Sequence, residues 1–510
     1  MLRITRTFIS IALFSLITFY FVDFAGLMPN RWHVLMHLQF IPAILAPAGV
    51  VLLIWVVLTL LFGRAYCSSI CPMGVYQDVV AWASKRAAKK KKRYKFSKAK
   101  NILRASVLVV TVGVFWKLPL MLGFVDPYSA YGRMAANIFR PVYMAGNNLL
   151  ATLFMKFENY TFYKTDVFVA SAFSLAVALL TMLAIGYLAW RNGRTYCNTI
   201  CPVGTMLGFL SRFSVFKIRI DEGKCNSCGA CEAQCKAACI SSKQKTIDSS
   251  RCVDCFTCLD VCRRNALKFS PPLARAKSAD AAAAKVPVDG GKRRFLKAGV
   301  LTAVAAPVAT IEDEVNSLRK SNRYVRQQPI LPPGAVSTEN MLKRCTSCHL
   351  CISKCPSRVL KPAFMEYGLA GMMQPTVHFE NGFCNFDCTI CSEVCPAGAI
   401  KPLTKDQKHL NQSGHVVFTR DICVVQTDET SCGACSEHCP TQAITMAPYK
   451  GGLTIPQINV EICIGCGGCE FICPVRPYRA IHVEGHAVQG KAKPFEEQKK
   501  EEKEIEDFGF

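Results

Sequence analysis

The sequence predicts two kinds of structure in one chain. The first is a membrane α-helical four-helix unit built as a tandem two-helix repeat, and the second is a set of small α+β domains held by cysteine ligands. A mean hydropathy of +0.21 over 510 residues indicates that part of the chain lies in a membrane. The 29 cysteines stand in evenly spaced groups. The stretches "GRAYCSSICPMG" and "GRTYCNTICPVG" repeat one cysteine pattern, each after a long apolar run.

Four apolar runs of about 20 residues are each long enough to cross a bilayer. They are Phe8 to Leu27, Ile41 to Phe62, Ile102 to Leu122 and Val167 to Trp190. The basic stretch "SKRAAKKKKRYKFSKAK" lies between the second and third runs. By the positive-inside rule it predicts that this loop, both ends of the unit and both cysteine motifs are cytoplasmic. A topology signal therefore accounts for the net charge of +25 better than a nucleic-acid site, and no nucleic-acid partner is predicted.

The repeat extends beyond the cysteines, because "FVD" occurs at 21–23 and again at 124–126. Two copies in one orientation, related by a twofold axis along the membrane normal, would bring both cysteine pairs together. Four thiolates are the ligand set of an iron-sulfur cluster. The four residues are Cys67, Cys71, Cys197 and Cys201. The alternative is that these thiols are redox-active pairs or packing residues.

The next segment contains two runs with the spacing CxxCxxCxxxC, which is typical of two-cluster bacterial ferredoxins. Since the fourth cysteine of each such run ligates the other cluster, two [4Fe-4S] clusters are expected here. Their ligands are Cys225, Cys228, Cys231 and Cys262, and Cys252, Cys255, Cys258 and Cys235. Lys236 and Arg263 stand where proline usually follows such runs. Cys239 is left over and is predicted to be a buried thiol.

Four more cysteine groups follow near the end of the chain, and each ends in Cys-Pro. They predict four further [4Fe-4S] clusters, six in all, without fixing which groups exchange their fourth ligand. An odd number of cysteines in this spacing disfavours a disulfide framework. The groups are Cys345, Cys348, Cys351 and Cys355; Cys384, Cys388, Cys391 and Cys395; Cys423, Cys432, Cys435 and Cys439; and Cys463, Cys466, Cys469 and Cys473.

Between the two sets of cysteine runs lies "GKRRFLKAGVLTAVAAPVAT", which resembles a twin-arginine export signal. Lys292 and Arg293 take the paired positions. Such a signal would place the last domain in the periplasm; the alternative is a basic linker with a small apolar helix. The predicted division is 1–219 for the helical unit, 220–270 for the two-cluster domain, 271–335 for the linker, 336–490 for the four-cluster domain and 491–510 for a disordered tail.

The paired CxxxCP motifs followed by a two-cluster ferredoxin domain resemble the NapH family of membrane quinol dehydrogenase subunits. The export signal followed by four cluster motifs resembles the NapG/MauM family of ferredoxin-type proteins. The resemblance implies a fused protein of the bacterial inner membrane that oxidises quinol and passes electrons to a periplasmic reductase, such as nitrate reductase, or to a cytochrome c partner. A NosR-like or other factor that supplies electrons for metalloenzyme maturation is the alternative, as is a relay from a cytoplasmic donor.

A quinol site needs proton acceptors, and the sequence offers few near the predicted outer surface. The candidates are Asp23, Asp126, His33 and His37, the two histidines being one helical turn apart. The alternative is that the aspartates cap helices and the histidines anchor the interface. The two sets of clusters are expected on opposite sides of roughly 30 Å of hydrocarbon.

Overall fold

A computed structural model of the chain describes residues 1–46, 48–88, 93–115, 120–271 and 326–494. The proposed export signal, with Lys292 and Arg293, and the tail beyond 494 lie outside these residues. The α-helices up to residue 271 are α1 Leu2–Val22, α2 Val34–His37, α3 Phe40–Leu45, α4 Gly49–Phe62, α5 Ala65–Ser69, α6 Pro72–Ala87, α7 Asn101–Phe115, α8 Leu120–Val125, α9 Pro127–Met134, α10 Arg140–Met155, α11 Ala172–Asn192, α12 Thr195–Thr199, α13 Pro202–Leu210, α14 Ala230–Gln234 and α15 Thr257–Val261.

The part from residue 326 onward consists of short helices and two-stranded sheets. Its helices are α16 Thr338–Arg344, α17 Leu350–Lys354, α18 Ile390–Glu393, α19 Lys405–His409, α20 Val424–Thr427, α21 Ala434–Glu437 and α22 Gly468–Ile472. The strands of the whole chain are β1 Lys217–Ile220, β2 Ile240–Ser241, β3 Thr246–Ile247, β4 Leu267–Ser270, β5 Leu360–Pro362, β6 Pro375–Val377, β7 Asn411–Phe418, β8 Ile444–Pro448, β9 Thr454–Ile458 and β10 Ile481–Lys491.

The helical unit, residues 1–213, differs from the four predicted spans. Within the described residues, two helices, α1 and α11, are long and apolar enough to cross a membrane. The second predicted span is divided between α3 and α4, with Pro47, which cannot donate a backbone hydrogen bond, between them in the sequence. The third is the 15-residue α7 followed by the short α8. Four complete spans are therefore not confirmed.

A helix that the sequence did not predict runs through the middle of the unit. It begins at α9, passes through a π-helical turn at Ala135–Phe139 and continues as α10 to Met155. Asp126 caps its first turn, and Pro127 occupies the first helical position. All eight residues of α9 are buried, whereas α10 exposes Val142, Leu149 and Leu150. Its first half thus belongs to the core of the unit.

Two cysteine domains lie at opposite ends of the helical unit. The small cysteine domain, residues 217–271, pairs β1 with β4 and β2 with β3, both antiparallel. The large cysteine domain, residues 326–494, contains the antiparallel pairs β5–β6, β7–β10 and β8–β9. Since β10 continues to Lys491 and Ala492 is buried, ordered structure extends past the predicted start of the tail.

The two long helices establish this arrangement, because each contacts both domains. Near the start of α11, Ser174 lies 3.4 Å from the His349 ring of the large domain. Just after its end, the Arg194 amide donates to Lys236 O of the small domain at 2.9 Å. At 1.5 Å per residue, 21 helical residues separate the two domains by roughly 30 Å. Helix α1 runs the other way, from an ion pair between Arg3 and Asp260 of the small domain toward the large domain.

The large cysteine domain is not simply attached to the helical unit. Its first half shares one continuous apolar core with the helices, in which Phe21 and Tyr128 belong to the same cluster as Leu350 and Val359. The second half of the large domain and the small domain each have a separate core. The helical unit and the first half of the large domain therefore fold around a common interior.

Candidate iron-sulfur sites

The two cysteine repeats have the same backbone structure. In each, a long helix ends at a glycine, a five-residue helix carries the first cysteine, and the second cysteine precedes a helix that begins with proline. Cys71 has φ −64° and ψ 114°, and Cys201 has φ −67° and ψ 120°. Proline fits at the first helical position because it has no amide proton to satisfy. The repeat in the sequence is thus a repeat in structure.

The four cysteines of the repeats lie together in the interior and are called the paired-cysteine site. All four are buried, with 3–4% of each residue exposed. Burial raises the pKa of Cys71 and of Cys201 well above the usual range of a thiol. The charges of the neighbouring thiols of the site raise both pKa values further. The predicted convergence of the two pairs is therefore what the structure contains.

Two arginines cross between the repeats and hold the site together. Arg64 Nη2 donates to Cys197 O at 3.1 Å, and Arg194 Nη1 donates to Cys67 O at 2.5 Å. Arg64 Nη2 also lies 3.8 Å from Cys67 Sγ. Both guanidinium groups are fully buried. Each repeat thereby supplies a positive charge beside the thiols and fixes the backbone of the other repeat.

The glycines of the motif are explained by close backbone approaches. Gly63 and Gly193 both have φ +74°, a left-handed conformation that favours glycine. A Cβ on Gly63 would lie 2.5 Å from Asp254 Oδ2, and one on Gly193 would lie 2.5 Å from Lys236 O. Because these two positions lack a side chain, the small cysteine domain can pack directly against the backbone of both repeats.

The small cysteine domain contacts the paired-cysteine site through one of its two expected ligand groups. Asp254 Oδ2 accepts from the Arg64 amide at 3.0 Å, and Ala237 O accepts from Asn198 Nδ2 at 3.1 Å. Burial raises the pKa of Asp254 to about 6. Asp254 lies between Cys252 and Cys255, and Ala237 follows Cys235, so the group that includes these three cysteines is the nearer one.

The exchange of fourth ligands is visible in the small domain and the first half of the large domain. Burial raises the pKa of Cys258, and the charges of Cys255, Cys252 and Cys235 raise it further. Burial likewise raises the pKa of Cys351, as do Cys348, Cys345 and Cys395. The pKa of Cys391 is raised by burial and then by Cys384, Cys355 and Cys388. In each set, three cysteines of one run meet the last cysteine of the other run, as in two-cluster ferredoxins.

In the second half of the large domain, the ligand groups line two cavities. One is lined by Cys423, Cys432, Cys435 and Cys473, and the other by Cys439, Cys463, Cys466 and Cys469. The exchange that the sequence left open therefore follows the same rule in both halves. A backbone hydrogen bond from Cys384 N to Cys466 O, 2.9 Å long, joins the two halves.

The cysteines fit clusters better than disulfides or single ions. All 29 are free thiols. Among the described residues, no three His, Cys, Asp or Glu side chains converge tightly enough to bind one metal ion. In the paired-cysteine site, Arg194 Nη2 is buried without a protein hydrogen-bond partner, and Gln77 Nε2 donates to Cys197 Sγ at 3.1 Å. Buried cations and donors around four thiols suit an anionic cluster.

Cys239, predicted to be a buried thiol outside the ligand groups, is 1% exposed. Its Sγ lies 3.6 Å from Cys235 Sγ. An S–H so close to a ligand sulfur can donate a weak hydrogen bond, which is one of the factors that set cluster potential.

The predicted quinol-site residues all lie where the helical unit meets the large domain. Asp23 Oδ2 accepts from Lys354 Nζ at 3.1 Å, and its carboxylate also accepts from the Leu27 and Met28 amides. Asp126 accepts from the Ser129 amide and hydroxyl at 2.8 and 2.6 Å. These contacts match the capping interpretation.

The two histidines are adjacent, as predicted from their spacing, with ring centroids 5.4 Å apart. His37 also hydrogen-bonds the backbone at Glu393 of the large domain. The pair therefore lies at the same boundary as the two aspartates.

A short segment joins the paired-cysteine site to the large domain. Tyr196, next to Cys197, donates from its hydroxyl to Val125 O at 2.7 Å. A Cβ on Gly123 would lie 2.5 Å from Thr346 O, and Arg133 Nη1 donates to both Gly123 O and Ser347 O. Gly123 and Val125 are two residues apart in the chain and therefore at most about 7 Å apart in space. The segment 123–125 thus contacts both Tyr196, beside the paired-cysteine site, and the Cys345–Cys348 loop. Apart from the "FVD" repeat, no pattern in the sequence indicates this connection.

Family models identify 4Fe-4S binding domains in the chain. A 4Fe-4S binding domain matches residues 45–91 and 173–221, which contain the two repeats. Two 4Fe-4S dicluster domain models match residues 248–359 and 430–476. The chain is 30% identical to the ferredoxin-type protein NapF of Escherichia coli (strain K12) over 168 residues, which are 33% of this chain and 91% of the relative. The chain belongs to the ferredoxin-type protein family.

Other ferredoxin-type relatives cover similar shares of the chain. NapG of Escherichia coli (strain K12) is 27% identical over 193 residues, 36% of this chain and 81% of the relative. The methylamine utilization ferredoxin-type protein MauM of Methylophilus methylotrophus is 31% identical over 167 residues, 30% of this chain and 70% of the relative. No solved structure matches. The ferredoxin-type assignment establishes an electron-transfer protein with several iron-sulfur clusters.

Proposed function

We propose that this ferredoxin-type protein spans the bacterial inner membrane, oxidises quinol and delivers the electrons to a periplasmic reductase, of which nitrate reductase is an example. The observation that carries the proposal is the position of the paired-cysteine site, which contacts the small cysteine domain directly and is linked to the large one through Tyr196 and the segment 123–133, although the two domains lie at opposite ends of the same helices. When bound, iron-sulfur clusters accept and release one electron at a time. Six sets of four cysteines in the domains would hold six [4Fe-4S] clusters, and the paired-cysteine site a seventh.

The surface of the helical unit supports the membrane location. Large apolar side chains are exposed along helices from both repeats, including Phe8, Leu53, Val109 and Leu180. Exposed apolar surface of this extent suits lipid rather than water. The roughly 30 Å length of α11 matches the hydrocarbon thickness of a bilayer. The small domain would then be cytoplasmic and the large domain periplasmic.

In this proposal, residues at the boundary between the helical unit and the large domain accept the quinol protons and hold the connecting segment in place. Each quinol that becomes quinone releases two electrons and two protons. Asp23 and Asp126 each accept three hydrogen bonds, and His33 and His37 lie beside each other at the same boundary, so these four residues are the proposed proton acceptors. Arg133 and Tyr196 fix the segment between the paired-cysteine site and the Cys345–Cys348 loop.

The test is an EPR titration of the purified protein in nanodiscs with menaquinol or ubiquinol as the reductant. We expect cluster signals of the large domain to appear with quinol. They should still appear with quinol in the Cys228→Ser variant, which removes an exposed ligand of the far cysteine group of the small domain. If quinol reduces no cluster, the proposal is wrong.

The contacts of the small domain also support a second candidate function, in which a cytoplasmic protein rather than quinol donates the electrons. Because that domain touches the paired-cysteine site directly, electrons from a cytoplasmic donor would have a continuous protein connection to the large domain. Proteoliposomes with the small domain outside and a membrane-impermeant reductant in the medium distinguish the two. Reduction of the large-domain clusters without quinol, abolished by Cys67→Ser with Cys197→Ser, would favour the cytoplasmic donor.

A further inference from the structure

The structure contains a basic cavity beside the small cysteine domain, and most of its cationic residues have no part in the proposed electron route. Its volume is about 420 Å³, within the range of small-ligand sites. Three segments form its walls: the irregular stretch 93–100, residues 191–199 at the end of α11, and residues 236–238 with Arg251 of the small domain.

The charge of the cavity is of one sign. Eight of its lining residues are Lys or Arg, and none is Asp or Glu. They are Arg93, Lys95, Lys98, Lys100, Arg191, Arg194, Lys236 and Arg251. A concave surface lined by one sign of charge concentrates the field and attracts counter-ions.

Nearby carboxylates compensate only part of this charge. Asp78 is shared by Arg194, Lys236 and Arg6, which lie 2.7, 2.8 and 3.3 Å from it. Asp248 pairs with Arg251 at 2.6 Å. Arg93, Lys95, Lys98 and Lys100 are outside these ion pairs. An anion in the cavity would therefore relieve repulsion that the ion pairs among the described residues leave uncompensated.

The walls are held in place, so the cavity is not a chance gap between flexible side chains. The amides of Tyr94 and Ser97 donate to Ala233 O and Ala238 O, and the Phe96 amide donates to Glu232 Oε1. Arg251 Nη1 donates to Ser97 Oγ at 3.3 Å. Within the cavity lining, the side chain of Arg194 is 0% exposed and that of Arg251 is 5% exposed. The site thus has buried arginines and a rim of lysines.

We propose that this cavity binds a phosphate-bearing anion. Arg presents paired N–H donors that match phosphate oxygens, and several Lys add charge without fixed geometry. Two sources offer this chemistry: the head group of an anionic phospholipid, reached from the end of α11, and a soluble phosphate compound. Basic pockets at the ends of membrane helices bind phospholipid head groups elsewhere.

The test compares two double variants with the same change of charge. Lys95→Gln with Lys98→Gln removes two rim lysines of the cavity. Lys156→Gln with Lys164→Gln removes two exposed lysines elsewhere on the helical unit. Lipid binding is measured by native mass spectrometry of the full-length protein from nanodiscs containing phosphatidylglycerol, and inorganic phosphate binding by calorimetry in phosphatidylcholine nanodiscs.

At about 1 kcal/mol per lysine, the cavity variant should bind the effective probe roughly thirtyfold more weakly, whereas the control variant should bind as the unchanged protein does. Retention of phosphatidylglycerol alone assigns the site to a lipid head group, and saturable phosphate binding assigns it to a soluble compound. Equal losses in both variants, or no binding of either probe, would overturn the proposal. Cluster absorbance of both variants, compared with the unchanged protein, verifies folding.

Discussion

The two cysteine repeats share one backbone but bring different side chains to the same positions. Six and seven residues after the second cysteine, the first repeat has Gln77 and Asp78, where the second has Leu207 and Gly208. One residue after the first cysteine, the second repeat has Asn198, which bonds the small domain, and the first has Ser68. The shared residues build the ligand frame, and the differing ones give each side its own electrostatic surroundings.

The largest effect is expected where the repeats are equivalent. Cys67→Ser and Cys197→Ser should each remove one ligand of the same cluster, so iron content should fall equally, by the roughly two to four atoms of one cluster. Elemental analysis of purified protein measures this, with Cys239→Ser as a control outside the ligand groups. Unchanged iron in both variants would show that the paired thiols serve as redox pairs or packing residues instead.

The next largest effect is expected at Asp78, where the first repeat has a charged residue and the second has Gly208. Asp78→Asn leaves Arg194 and Lys236 without their buried carboxylate, and breaking a buried pair in this way costs about 3–5 kcal/mol. Although burial would raise it, these two cations lower the pKa of Asp78, so the carboxylate is charged at neutral pH. Thermal unfolding in detergent should show a clear loss of stability. Asp260→Asn, which breaks the exposed pair with Arg3, should change stability by at most about 1 kcal/mol.

A smaller loss of stability is expected at Gly63 and Gly193, against which the small domain packs, and it should differ between the two positions. Gly63→Ala and Gly193→Ala both introduce a side chain at positive φ, at a cost of roughly 1–2 kcal/mol. The added Cβ meets a rotatable carboxylate at Gly63 but the Lys236 backbone carbonyl at Gly193. Hydrogen exchange in 236–238 should therefore accelerate more in Gly193→Ala. The reverse order would mean that the Asp254 bond to the Arg64 amide is the stronger attachment.

The smallest effect concerns the hydrogen bond that only the first repeat supplies. Gln77→Leu removes the donor to Cys197 Sγ and copies the residue found in the second repeat. We expect this hydrogen bond to stabilise the reduced site over the oxidised site by about 1.4 kcal/mol. Its loss would then lower the one-electron potential by roughly 60 mV. Redox-titrated EPR measures this, and Gln457→Leu, on an exposed strand position of the large domain, should leave the potential unchanged. No shift with Gln77→Leu would remove this bond as a source of asymmetry.

Cysteine spacing predicted the grouping of the cysteines and a buried Cys239, and the orientation of the two repeats predicted that the two cysteine pairs lie close together. These features follow from local rules: cysteine spacing, proline after the last ligand and the orientation of two repeated units. The roles of Gly63, Arg64 and Tyr196 within the two quoted motifs could not be predicted, because their partners lie in other parts of the chain. The buried helix that begins at Pro127 was missed since its first half is too polar to resemble an apolar span.

What lies between the two sets of clusters could not be predicted from the sequence. The sequence predicts that the two sets lie on opposite sides of roughly 30 Å of hydrocarbon and leaves open what connects them. In the structure, the paired-cysteine site and the segment from Gly123 to Arg133 occupy that interval. Only the packing of α9 reveals this, and no periodicity of the sequence encodes it.

Asp78 also has a consequence for how the protein is assembled. Its three cations come from the first helix, the second repeat and the small domain, which are made at different times during synthesis. The carboxylate is fully compensated only after all three have arrived. A chain in which one of them fails to dock carries a buried, undercompensated charge, and such a charge destabilises the incompletely assembled molecule.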